Sequence, residues 1–301
     1  MNRRKFIGEM VRFGAFLTAV SSPLILSSCS QSKKGIPEDN SDFLRIGILS
    51  DTHGHGKNSE FFVNEMENLG VEIYLMPGDL SHSFGDYEGA KDDSKEISAV
   101  IEPVAETKKP VLVIPGNHES RRDYNSTILK LQSKYSNIID GEKNPAVQLE
   151  GSDLIIAMYG GKDNPNYTVP NGFIRSGNDF FKFGEKVKPQ KPILLATHVP
   201  RRYINKNGLD VIGSGLNVGA MPLNHVVGGA LNVKYTVSGD IHEAFGILTH
   251  GEEKLKEGTL SDRVDFNPGA VFDHVGNRGL KPSAGILDVN SNQARAYFLR
   301  K

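Results

Sequence analysis

This 301-residue chain predicts an α/β fold in which two mixed β-sheets pack as a sandwich flanked by helices. Three observations predict it. From residue 44 to about 140, short apolar, β-branched runs alternate with stretches of helical period, an order that favours right-handed crossovers and a largely parallel sheet. Beyond that point the apolar runs continue with fewer helical stretches between them, which suits a second, mixed or antiparallel sheet packed on the first. Finally, five of the runs end in a short polar cluster, and ligands bind where the strands of such sheets finish.

The first half reads element by element. Leu44 to Leu49, Val71 to Met76 and Val111 to Ile114 are buried strands. Between them Phe61, Phe62, Met66 and Leu69 lie near one face of a helix over Asn58 to Leu69, and Ile97, Val100, Ile101 and Val104 give a second helix over Ser94 to Ala105. Pro103 kinks or ends that helix. Ile128, Leu131 and Tyr135 form a third, weaker stripe.

In the second half, Leu154 to Met158, Ile193 to Ala196, Val233 to Val237, Val264 to Phe266, Gly285 to Val289 and Ala294 to Leu299 read as strands and are assigned to the second sheet. Asn290-Ser291-Asn292 joins the last two as a hairpin turn. Gly160 to Asn178 and Lys206 to Gly219 are long Gly- and Asn-rich loops, a kind that often carries function.

The clusters are Asp51-Thr52-His53, Gly78-Asp79, Gly116-Asn117-His118-Glu119, Thr197-His198 and Gly239-Asp240-Ile241-His242. Each is rich in oxygen and nitrogen donors suited to hard or borderline metals. Carboxylates, imidazoles and an amide oxygen can hold two divalent ions about 3.5 to 4 Å apart when one carboxylate bridges them. Asp79 is the natural bridge, because Gly78 before it lets the backbone turn sharply at a strand end.

This ordered pattern resembles the calcineurin-like metallophosphoesterase family, and the resemblance spans nearly all of residues 44 to 300. It implies a four-layer α/β/β/α fold and two divalent ions of Mn, Fe, Mg, Ni or Zn. By that resemblance Asp51, His53, Asp79 and His242 hold the first ion, and Asp79, Asn117, His198 and residue 240 the second. His118 then contacts the substrate and protonates or stabilises the leaving oxygen, with Glu119 a candidate to orient its ring. The implied reaction is attack of a metal-bridging hydroxide on a phosphodiester or small phosphomonoester. Asn267-Pro268-Gly269-Ala270 resembles a late turn of a small-enzyme branch, which favours diesters. The one departure is Asp240, where the family places histidine. An aspartate there is a ligand favouring harder ions, a water-mediated contact, or the mark of a weakened second site.

Other polar residues read more weakly. His55 and His82 lie just beyond the first two clusters, where they can support ligands or touch substrate. Arg121, Arg122, Arg201 and Arg202 are bidentate phosphate donors or solvated loop charges. His225, His250 and His274 fall outside the motif.

Three regions divide the chain: an export signal with lipobox (1–29), a flexible tether (30–42) and the catalytic domain (43–301). Arg3-Arg4-Lys5-Phe6 opens on a twin arginine, Phe13 to Leu26 is moderately apolar, and Leu26-Ser27-Ser28-Cys29 resembles a bacterial lipobox. The resemblance implies an exported protein, anchored to a membrane on its extracytoplasmic side through lipid on Cys29. An uncleaved anchor helix is the other reading, although the apolar stretch is short for a span of about 20 residues. Cys29 is the only cysteine, so no internal disulfide forms. A net charge of −1 gives no strong nucleic-acid signal, and phosphate recognition must be local. Besides the hydrolase, the sequence admits a non-catalytic, lipid-anchored metal- or ligand-binding protein of the same fold. A two-lobed solute-binding protein is disfavoured by the lack of internal duplication.

Overall fold

A computed structural model describes residue 36 and residues 42–82, 93–148, 153–176, 179, 191–229, 231–272 and 280–301. Cys29, the export signal and His274 lie outside the described residues. In chain order the first half contains β1 (Leu44–Ile48), α1 (Gly56–Asn68), β2 (Ile73–Pro77), α2 (Ser94–Ala105), β3 (Val111–Ile114), α3 (Arg121–Lys134) and β4 (Ile138–Asp140). There follow β5 (Ala146–Gln148), β6 (Ile155–Tyr159), β7 (Ile193–Thr197), α4 (Met221–Gly228), β8 (Val233–Val237), β9 (Gly246–Leu248), β10 (Val264–Asn267), β11 (Ser283–Val289) and β12 (Ala294–Arg300).

The strands form two six-stranded sheets, in the orders β12-β11-β1-β2-β3-β4 and β5-β6-β7-β8-β10-β9. Parallel pairs occupy the middle of each sheet: β1-β2-β3-β4 in one and β6-β7-β8-β10 in the other. Antiparallel strands complete both. Period-two alternation builds the layers. Leu44, Ile46, Ile48, Ile73, Leu75, Leu112 and Ile114 pack between the sheets against Ile156, Met158, Leu194, Ala196, Tyr235 and Val237. Their neighbours Tyr74, Met76, Val111 and Val113 join the core shared with α1, α2 and α3. Helix α4 covers the opposite face of the second sheet through Leu223, Val226 and Val227.

The closing hairpin belongs to the first sheet, not to the second as its sequence position suggests. Its strand β11 pairs antiparallel with β1 in a register that sets Asp288 opposite Arg45. Arg45 Nε and Nη2 donate to the Asp288 carboxylate at 2.7 and 3.0 Å, and Nη1 donates to the Leu69 carbonyl at 2.6 Å. Both side chains are buried, and breaking such a pair would leave a costly uncompensated charge. Helix α2 runs through Pro103 and ends two residues later, at Ala105. Among the described residues no helix is long and apolar enough to cross a membrane.

Candidate metal centre

Strands β1, β2, β3, β7 and β8 end at one edge of the sandwich, and the five polar clusters follow them. Backbone conformation aims their side chains. Asp51, His53, Asp79 and Asp240 all have positive φ, at 51°, 43°, 51° and 63°. Only seven non-glycine residues adopt this region among the described residues, so its concentration here marks a local demand. Asp and His enter it more readily than most side chains, but at a cost, and such strain collects at functional sites. Close approach matters as well. A Cβ on Gly116 would stand 2.0 Å from Asp79 Oδ1 and 2.4 Å from Asp79 N, so only glycine fits there.

The clusters meet in two groups. One ligand atom from each of Asp51, His53, Asp79 and His242 lies within 4.8 Å of the others, and so do atoms of Asp79, His198 and Asp240. Asp79 belongs to both. His198 Nε2 is 3.3 Å from Asp79 Oδ1, 3.7 Å from Asp240 Oδ1 and 2.7 Å from Asn117 Oδ1. All seven residues singled out as metal ligands therefore gather at this edge.

Hydrogen bonds fix which atoms face inward. His53 Nδ1 lies 3.0 Å from the Ser81 carbonyl, so it carries the proton and leaves Nε2 as a lone pair. That Nε2 is buried without a hydrogen-bond partner and 3.8 Å from Asp79 Oδ2. His198 Nδ1 likewise donates to the Pro77 carbonyl at 2.9 Å. Asn117 Nδ2 donates to the Tyr167 carbonyl at 2.7 Å, which points Oδ1 at His198 Nε2. A neutral His198 thus sets two acceptors 2.7 Å apart, an arrangement that needs a proton or a metal cation between them. These residues fit a metal site on their own geometry.

The Gly116-Asn117-His118-Glu119 loop is built around two carboxylates. Asp79 Oδ1 accepts from Asn117 N at 2.9 Å and His118 N at 3.1 Å. Glu119 is fully buried and accepts from Gly116 N at 2.6 Å, Ser81 N at 3.0 Å and Ser81 Oγ at 3.4 Å. Those bonds brace the loop, a different task from orienting the His118 ring. The His118 side chain keeps 15% exposure, with Nε2 3.7 Å from Asp79 Oδ2.

The family model for calcineurin-like phosphoesterases matches residues 44–244. The chain belongs to that family. No curated protein matches it. Among solved structures, TT1561 of Thermus thermophilus aligns at a TM-score of 0.59 and 14% identity, covering 85% of this chain and 98% of that one. A dimetal phosphatase from Danio rerio aligns at 0.51 and 10% identity, covering 86% and 99%. A purple acid phosphatase from yellow lupin (Lupinus luteus) seeds aligns at 0.50 and 13%, covering 88% of this chain and 52% of that one. At these identities the likeness shows the shared fold.

Electrostatics at the edge of this calcineurin-like phosphoesterase follow from burial and mutual charge. Burial alone opposes ionisation of Asp51, but the imidazoles of His242, His198 and His53 outweigh it and hold the carboxyl below its usual range. Burial pushes Asp79 up. It also pushes Glu119 up to about 8 and lowers His53 and His118 to about 3 each. For His198 and His242 burial acts downward, yet the facing carboxylates win and raise both: Asp79 and Asp240 for the first, Asp51 for the second.

Several participants were invisible as motifs. Lys162, on the loop after β6, places Nζ 2.6 and 2.7 Å from the two oxygens of Asp240. Phe272 packs edge-on to His53 and His242, with centroids 4.4 and 4.9 Å away. Ser50 Oγ donates to Asp51 Oδ2 at 2.5 Å. Asn267 Nδ2 donates to the Ile241 carbonyl at 3.0 Å while its Oδ1 accepts from Gly269 N at 2.9 Å, so the late turn locks the loop between Asp240 and His242.

Two arginines considered for phosphate have structural partners. Arg201 is paired with buried Asp265 at 2.8 Å, and Arg121 Nε donates to the Gly172 carbonyl at 3.1 Å. Arg122 is largely exposed beside Asp123, and Arg202 lies 4.0 Å from Asp210. The His82 ring lies 5.4 Å from that of His53, and the His55 ring 5.8 Å from Phe272.

Proposed function

We propose that this chain is a metal-dependent phosphoric ester hydrolase using two divalent ions, one held by Asp51, His53, Asp79 and His242 and the other by Asp79, Asn117, His198 and Asp240. The observation that carries the reading is Asp79 shared between two ligand groups, beside an acceptor pair 2.7 Å apart that calls for a cation. Bound ions would lower the pKa of a water between them and neutralise charge on the phosphate oxygens.

The chain's own residues supply the rest. Asp79 and Glu119 hold the loop that carries His118 through the backbone bonds given above. His118 keeps an accessible edge, and burial of the rest of the ring holds it neutral, ready to donate a hydrogen bond to the ester oxygen that leaves. Hydrolysis then adds the water's oxygen to phosphorus and its proton to the departing alkoxide. We assign Glu119 to positioning, and the substrate to a phosphodiester or small phosphomonoester.

The test is elemental analysis of the purified protein with assays of chromogenic mono- and diesters under Mn, Mg, Fe, Ni and Zn. His118→Ala is expected to keep metal while losing turnover by about 10²- to 10⁴-fold, and Asp79→Ala to lose both ions. No turnover under any metal would sink the hydrolase. That outcome would leave a non-catalytic metal- or ligand-binding protein of the same fold, a reading favoured by the Lys162–Asp240 contact.

We also propose that residues 1–29 direct export and that lipid on Cys29 anchors the domain outside the cytoplasm. Cys29→Ala should move the protein from the membrane fraction to the soluble exported fraction. Unchanged fractionation would remove the anchor.

A further inference from the structure

We propose that Lys162 is an internal cation that competes with a metal ion for Asp240, so that the two metal positions fill unequally and in order. This rests on the metal-dependent reading above and concerns how the site loads.

The contact is built. Lys162 N donates to the Phe173 carbonyl and Arg175 N donates to the Lys162 carbonyl, both at 2.9 Å, which ties residue 162 to the strand-like segment at Ile174. Its side chain is 11% exposed and that of Asp240 is 7%. The ammonium contacts both carboxylate oxygens, at 2.6 and 2.7 Å. Within the same loop, Tyr167 supplies the carbonyl that orients Asn117, and its ring lies 5.5 Å from Lys162 Nζ. One segment therefore addresses both ligands particular to the second position.

Chemistry makes the two positions unlike. A bare aspartate would add negative charge beside Asp79 and favour an ion. Here that charge is already matched by a buried ammonium, and the oxygens an ion would take are its hydrogen-bond acceptors. An ion entering between Asp79, His198 and Asp240 must displace Nζ or share Asp240 with a like charge. At the other position the carboxylates of Asp51 and Asp79 face the imidazoles of His242 and His53. An imidazole can shed its proton and turn a lone pair to the ion, so that position fills without displacing a fixed charge.

The experiment is Mn²⁺ titration of the metal-free full chain by calorimetry, with elemental analysis for stoichiometry. The wild type should bind one ion tightly and a second more weakly. Lys162→Met should tighten the second step by about 10- to 100-fold, the range by which groups supporting metal ligands shift affinity, and leave the first unchanged. Lys162→Gln, which keeps a polar partner for Asp240 without the charge, should shift the second step the same way. A measurement on the wild type alone avoids any folding defect: reductive methylation of Lys162, read by mass spectrometry, should accelerate once the second ion is bound. Equal steps in the wild type, a second step unchanged or weakened in the folded variants, or Lys162 reactivity unaffected by Mn²⁺ would overturn the proposal. Two-step loading without ester hydrolysis would sink the hydrolase and leave this inference standing. Absence of any bound ion would remove both.

Discussion

Asn267 offers a sharp test of how the second sheet positions the metal edge. It is fully buried at the end of β10, and its amide makes two bonds: Nδ2 to the Ile241 carbonyl at 3.0 Å and Oδ1 from Gly269 N at 2.9 Å. Asn267→Ala removes both partners and strands two backbone groups. At about 1–3 kcal/mol for each buried group left unsatisfied, the loss is roughly 2–4 kcal/mol after partial relaxation. For a domain of this size about 2–4 °C accompanies each kcal/mol, so thermal unfolding should fall by roughly 5–15 °C. Ile241 sits between Asp240 and His242, so metal affinity should fall as well.

Asn267→Asp is the informative partner variant. It keeps an acceptor for Gly269 but turns an acceptor toward the Ile241 carbonyl, and it should be at least as damaging as alanine. Differential scanning calorimetry of the metal-free and Mn²⁺-loaded protein measures both effects. A melting temperature within about 2 °C of wild type, with unchanged Mn²⁺ affinity in both variants, would refute the view that this turn holds the ligand loop.

Two further outcomes follow from the same geometry. Gly116→Ala should destabilise by about 1–3 kcal/mol through overpacking and weaken metal binding, because the new Cβ meets Asp79 atoms at 2.0 and 2.4 Å. Gly228→Ala, with open space around it, serves as the neutral control in the same urea titration. The pH dependence of the metal-free protein has a signed expectation too. His53 and His118 have folded pKa values near 3 against 6.5 unfolded, so their contribution is present above pH 6.5 and is lost as pH falls toward 3. His198 and His242, raised above 6.5, act oppositely, their contribution being present below pH 6.5 and lost as pH rises through the folded values. His118→Gln should flatten the acid limb of urea midpoints measured between about pH 4.5 and 6.5. An acid limb as steep as wild type would show that His118 is not the buried base described.

Much of the fold was legible because strands buried on both faces read as continuous apolar runs, and their ends carried the clusters. β3, β8 and α2 fall where periodicity sets them. By contrast, β4, β5 and β9 are three residues each, too short to show a period. The sheet that receives β11 is decided by Asp288 meeting Arg45 across 243 positions, which no local pattern encodes. The metal edge divides the same way. Its ligand types stand out in strings, whereas Lys162 is a lone lysine in a glycine-rich loop, 78 residues from Asp240. Glu119 was legible as part of a string, but its task was not, since its partners at Ser81 come from another strand's loop.

The edge is held in a state that favours ions and yet does not treat its two positions alike. Left-handed backbone at Asp51, His53, Asp79 and Asp240 costs up to about 1–3 kcal/mol each, and three buried carboxylates crowd together. An ion at about a thousand times its dissociation constant returns about 4 kcal/mol, enough to offset much of that strain. The Lys162 ammonium already relieves part of the charge at Asp240, whereas the carboxylates of Asp51 and Asp79 are relieved by the imidazoles of His242 and His53. The aspartate at 240 therefore does not simply replace a ligand. Paired with its lysine, it converts one of two similar positions into one whose occupancy depends on how much metal is present.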